Sequence, residues 1–103
     1  MNITDALNKY VANNGEPVTW EEAMAYVAAA QMEIMVTRHQ KYGHNNITRS
    51  VLDGIAVRIG DKMARFENWL KRGEHAADET VEDTLGDLSN YGAIGIAYKL
   101  GWW

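Results

Sequence analysis

Glu79, Asp83, Asp87 and Asn90 recur at i, i+4, i+8 and i+11 in "DETVEDTLGDLSN", residues 78 to 90. On a helix turning about 100° per residue, that spacing lines three carboxylates and a carboxamide along one face. A second set lies upstream, where Arg58, Lys62, Arg65 and Trp69 are spaced 4, 3 and 4 apart, with Asp61 among them. Carboxylates on one helix and cations on another suit two arrangements. One is a magnesium site, since magnesium takes oxygen ligands and shares them with substrate phosphates, with the cations placed for phosphate oxygens. The other is a set of interhelical salt bridges with no ligand at all, each worth little where exposed.

Features of the acidic stretch favour a lined cavity over a solvated face. Like charges at i, i+4 repel by a few tenths of a kcal/mol, and no Lys or Arg follows on this helix before Lys99. Acids in a first turn also complement the helix dipole. The same face runs on into Ile94 and Ala97, so the second half of the helix reads as buried all round. Val81, Leu85, Leu88, Gly92 and Ile96 fall on the opposite side and read as its apolar packing face.

The elements that must carry these residues are helical throughout. A first helix is expected over about Ile3 to Ala12, stopped by "NNGEP". Thr19 then caps a second helix from about Trp20 to Tyr42, with Glu22 at the reciprocal capping-box position. Its apolar stripe reads as Met24, Val27, Ala28, Met35 and Tyr42, and Gly43 suits a left-handed C-terminal cap. A third helix runs from Thr48 or Ser50 to about Lys71 with Leu52, Ile55, Ile59, Met63, Phe66 and Leu70 on its inner face, closed by Gly73. The fourth, capped by Asp78 or Thr80, reaches about Leu100.

Composition bounds the remainder. One domain fits 103 residues, since single cores become comfortable at roughly 100 to 150 residues. Apolar residues make up 47% of the chain, and four Trp and five Tyr are a large aromatic load for a core this small to bury, which points to a homo-oligomer. A net charge of −4 argues against a general hold on nucleic acid or anionic membrane. With no cysteine, thiolate metal sites, disulfides and cysteine nucleophiles are excluded. Neither a secretory leader nor a membrane span is legible, so a cytoplasmic protein is expected. His39, His44 and His75 form no metal-ligand spacing and read as surface or capping residues. Met24, Met32, Met35 and Met63 read as core filling, the glycines of "GIAVRIG" and "YGAIGIAY" as points of close helix approach, and Trp102 and Trp103 as packing or oligomer contacts.

At "RHQKYGHNN", "RIGDKMARFENWLKRGE" and "DETVEDTLGDLSNYGAIGIAY" the chain resembles the nucleotide modification associated domain family, small proteins frequent in bacteriophage genomes. That family is itself similar to the MazG-like and dimeric dUTPase all-α nucleoside triphosphate pyrophosphohydrolases. The matching elements are Lys41, Tyr42 and Gly43 followed by Asn45 or Asn46; Arg58, Asp61, Lys62 and Arg65; and Glu79, Asp83, Thr84, Asp87, Leu88, Asn90 and Tyr91. The resemblance covers about residues 38 to 98.

It implies an all-α bundle of four main helices that coordinates Mg2+ and cleaves a nucleoside triphosphate to the monophosphate and pyrophosphate. Carried over, Glu79, Asp83 and Asp87 become metal ligands and catalytic acids, with Glu33 or Asp61 facing them. Lys62 and Arg65, flanked by Arg58, would hold phosphate oxygens; Asn90 or Asn46 would read a base or ribose edge, and Tyr42 or Trp69 would stack. The chain departs from the pyrophosphohydrolase pattern at Thr84, where the first acid of an ExxD motif belongs, and on the second helix, where Glu21 and Glu22 lack a third acid at the motif's spacing. A non-catalytic nucleotide-binding protein, one that could sequester a cyclic nucleotide defence signal, therefore stands beside the enzyme, and a purely structural helical oligomer is the third reading.

Overall fold

A computed structural model describes residues 2–43, 51–73 and 79–103. The described residues form four helices and no strand: α1 (Ile3–Asn14), α2 (Trp20–Tyr42), α3 (Val51–Arg72) and α4 (Val81–Lys99). The helices pair α1 with α2 and α3 with α4, in two compact units, Met1–Tyr42 and Gly43–Trp103. Among the described residues no helix is long and apolar enough to cross a membrane.

The ends of the helices follow local chemistry. Asn2 caps α1 through its side chain, which accepts from the Asp5 N–H, while Asp5 reaches back to the Asn2 N–H. At α2 the Thr19 hydroxyl accepts from the Glu22 N–H at 3.2 Å, as expected, but Glu22 returns its carboxylate to Val18 N–H, one residue earlier than a reciprocal box requires. Thr80, rather than Asp78, caps α4, in a full capping box with Asp83. Gly43 (φ 83°) and Gly73 (φ 69°) sit in the left-handed region after α2 and α3, where a side chain would be strained. The Gly73 N–H then donates to the Trp69 carbonyl at 2.7 Å. The proposed starts of α3 at Thr48 or Ser50 lie outside the described residues.

The faces that pack differ from those expected. In the first unit α1 lays Ile3 and Ala6 against Ala30, with Leu7 and Tyr10 at the margin, and Ile34 is also buried on α2. Met24 and Tyr42 of the expected stripe are exposed. The short side chain of Ala30 lets α1 approach, and α2, apolar on several sides, is turned by that fit. Met32 and Met63 are exposed as well, so they do not fill a core. On α3 the inward face carries Ile55, Ile59, Lys62, Phe66 and Trp69, leaving Leu52, Met63 and Leu70 outside.

On α4 the expected packing face is inward only in part, with Val81, Leu88 and Gly92 half-buried. Asp83, Thr84, Asp87 and Asn90 are buried together with Ile94, while Leu85 is 45% and Ile96 64% exposed. Among the described residues of this unit the buried apolar side chains are Ile55 and Ile94. Close approach is made at Gly95, where an added Cβ would stand 4.0 Å from Ile55 Cγ2; Gly60 and Gly92 meet nothing within 4 Å. Trp102 is exposed.

Candidate functional site

The α3–α4 seam is organised by Lys62. Its Nζ pairs with Glu79 Oε1 and, at 2.8 Å, with Asp87 Oδ2, so one ammonium is shared by two carboxylates. The Lys62 and Glu79 side chains are each 14% exposed and that of Asp87 only 5%. Glu79 precedes the cap of α4, where the helix dipole favours an anion. Its other oxygen accepts from Arg65 Nη1 at 2.8 Å and from the Thr84 hydroxyl at 2.9 Å. Arg65 approaches from the rim, with its side chain half exposed.

Electrostatics follow from this geometry. Burial alone would raise the Glu79 carboxyl, but hydrogen bonds from Lys62, Arg65 and Thr84 outweigh it and bring the group from its usual 4.5 down to about 2. Burial likewise works to lower Lys62, and the hydrogen bonds to Asp87 and Glu79 overcome it, holding the ammonium above its usual 10.5. Such a network gains little net stability over an apolar seam, yet removing one member strands a buried charge.

The remaining expected site residues divide. Asp83 is buried beside the network, but its Oδ2 accepts from the Thr80 hydroxyl at 3.1 Å, and its N–H donates to Thr80 Oγ1 at 3.2 Å, so it serves the helix cap. Asn90 is buried two turns after Asp83 on the same face. Trp69 is half-buried and stacks on Phe66, with centroids 6.2 Å apart and planes 12° from parallel. Arg58 and Asp61 border an open hollow along α3 with Asp53, Gly54 and Val57. Glu33 and Tyr42 belong to the first unit. There Glu33 takes a 2.7 Å salt bridge from Lys9, and the exposed Tyr42 ring has the Lys41 ammonium 5.2 Å from its centroid. Asn45 and Asn46 lie outside the described residues.

Of the expected ligand set, Glu79, Asp83, Asp87 and Asp61 belong to the second unit and Glu33 to the first. Among the described residues no three His, Cys, Asp or Glu side chains come together closely enough to hold a metal. The physical reason is that cations and a hydroxyl already stand between these acids: Lys62 separates Glu79 from Asp87, and Thr80 engages Asp83.

Two roles escaped the sequence reading. Thr84, noted as a departure from an acidic motif, is a working member of the network, because a hydroxyl one turn from the cap can donate its single proton to Glu79 at 2.9 Å or, alternatively, to the Thr80 carbonyl at 3.3 Å. Phe66, expected on the inner face of α3 and found there, also backs Trp69. The Thr80 to Asp83 spacing was the available signal for the first. No family model, curated protein or solved structure matches the chain.

Proposed function

We propose that the chain is a magnesium-dependent nucleotide pyrophosphohydrolase-like protein that takes nucleoside triphosphate phosphates at the α3–α4 seam. The observation that supports this reading is one buried cation position shared by Glu79 and Asp87, with a second cation, Arg65, at the rim. Magnesium is commonly held by one or two carboxylates together with substrate phosphates rather than by an all-protein cage. Two carboxylates therefore suit it. Glu79 and Asp87 would hold the ion, which supplies charge to phosphate oxygens and acidifies bound water.

The chain's own residues do the rest. Lys62 and Arg65 donate charge-assisted hydrogen bonds to phosphate oxygens, the planar guanidinium in bidentate fashion. Trp69, backed by Phe66, offers a ring face to a base, and Asn90 offers a carboxamide for a base or ribose edge. In this reading the four helices form one MazG-like domain that works as a cytoplasmic homo-oligomer, in a phage-infected cell if the resemblance extends to genomic setting.

One observation favours a second reading, a non-catalytic nucleotide-binding protein. Asp83 is engaged by the helix cap and Thr84 carries a hydroxyl where the pyrophosphohydrolases carry an acid, which leaves fewer carboxylates for general-base work. Calorimetric titration with nucleoside triphosphates and cyclic dinucleotides, with and without magnesium, followed by product analysis, separates the two. Magnesium-dependent binding with pyrophosphate release is the expected result. Ligand bound tightly and recovered intact would establish the second reading, and no binding at all would leave the seam as structure.

A further inference from the structure

Helix α2 is apolar on two opposite sides, and α1 covers one of them. Ala30 packs with Ile3 and Ala6 of α1, and Ile34 is buried on the same side. Met24, Ala25, Ala28, Met32 and Val36 are exposed, and Met35 is half-buried. At about 100° per residue, these six side chains fall in a strip roughly 120° wide that lies diametrically opposite Ala30 and Ile34. Glu21 and His39 stand on the centre line of the strip at its two ends, since positions eighteen apart are separated by about five whole turns.

The strip is complementary to itself when reversed. Laid antiparallel on a second copy, about a two-fold axis level with Ala30, Ala28 meets the partner's Met32 and Ala25 meets the partner's Met35. Each alanine leaves room for a long methionine, and Met24 falls on the partner's Val36. Charge follows the same register. The first turn of α2 carries Glu21 and Glu22 and the last carries His39 and Lys41, so the reversed copy brings each acidic end onto a basic one and Glu21 onto the partner's His39. A parallel pair would instead set like ends together. A two-fold contact presents the same patch from both copies, and this patch fits its own image.

We propose that the strip from Glu21 to His39 on α2 is the contact surface for a second copy of the chain, which docks on it antiparallel about a two-fold axis level with Ala30. The proposal rests on the homo-oligomer of the nucleotide reading and names the face and the register of that contact. The strip is about 27 Å long and one helix wide, a small contact beside the ~800 Å2 per partner of a standard interface. The assembly is therefore concentration-dependent.

Sedimentation equilibrium of the full chain over a concentration series tests the face. The unsubstituted protein rises above the mass of one chain as concentration increases. Met32→Glu raises the dissociation constant about a hundredfold or more, because each pair then buries two unpaired carboxylates, whereas Leu70→Glu, the same change at an exposed leucine of α3, leaves it as it was. A folded Met32→Glu protein that associates like the unsubstituted chain overturns the α2 contact and leaves the homo-oligomer standing, and equal losses from both variants overturn the α2 contact as well. A single-chain mass for the unsubstituted protein at every concentration removes the homo-oligomer itself.

A second measurement keeps the strip intact and reads the register. The chain has no cysteine, so Gln40→Cys gives one nitroxide per copy. Antiparallel docking level with Ala30 separates the two Gln40 positions by about 30 Å along the helix axis, to be read by pulsed electron paramagnetic resonance. A distance below about 20 Å, as a parallel pair gives, overturns the proposal even if Met32→Glu does not fold.

Discussion

At the scale of single residues, Lys62 and Glu79 make the seam's stability a function of pH at both ends. Glu79 is depressed from 4.5 to about 2, so its contribution is complete above pH 4.5 and is lost as pH falls through 2. Lys62 is raised above 10.5, so its contribution is complete below pH 10.5 and is lost as pH rises beyond its folded value. Thermal unfolding followed across pH should show a plateau between these limits, and Glu79→Gln should flatten the acid limb. An acid limb unchanged by that substitution would show that other carboxylates govern it. Lys62→Met leaves two buried carboxylates without their shared cation and should cost about 3 kcal/mol or more in urea unfolding. Asp87→Asn, which keeps size and a polar end, should abolish pyrophosphate release if Asp87 holds magnesium; unchanged turnover in the folded variant would refute that role.

At the scale of the element, α4 shows what a sequence can and cannot reveal. The spacing of Glu79, Asp83, Asp87 and Asn90 was enough to place them on one face and to pair that face with Lys62 and Arg65, and the structure brings Glu79 and Asp87 onto those two cations. The acidic face was legible as one turned away from bulk water, but the exposure of part of the apolar face was not. Periodicity reports that two faces differ in polarity, and the ordinary rule sends the apolar one inward; here the complementary charges on α3 turn the polar one in, and Leu85 and Ile96 out. The same turn explains why Leu52, Met63 and Leu70 of α3 lie outside while Lys62 lies within. Helix ends were more legible because caps are local. Thr80→Ala removes the oxygen that accepts the Asp83 N–H and frees the Asp83 carboxylate, and should lower stability by about 1 kcal/mol, read as a fall in melting temperature. Gly92→Ala meets nothing within 4 Å and should raise stability by roughly 0.5 to 1 kcal/mol through helix propensity. A loss there would mean that the position is covered in solution.

At the scale of the whole molecule, the described residues of both units share a property: few apolar side chains are buried, and a series of large ones is exposed, among them Trp20, Met32, Leu85, Ile96 and Trp102. Large exposed apolar patches can mark surfaces that meet a partner, and the homo-oligomer of the proposed function is open to a direct test. Light scattering coupled to size exclusion should give a mass above that of one chain, and Ile96→Glu should reduce it if α4 is part of the contact. A single-chain mass for the unsubstituted protein would remove the oligomer from the proposal.

The ionic seam has one more consequence, for the response of the second unit to temperature. Exposure of apolar surface raises the heat capacity on unfolding and exposure of polar surface lowers it. A helix pair joined by Lys62, Arg65, Glu79, Thr84 and Asp87, with Ile55 and Ile94 as the buried apolar side chains among its described residues, should therefore add little to that heat capacity. Its contribution should vary only shallowly with temperature, and cooling toward freezing, which weakens apolar contacts, should leave the seam closed.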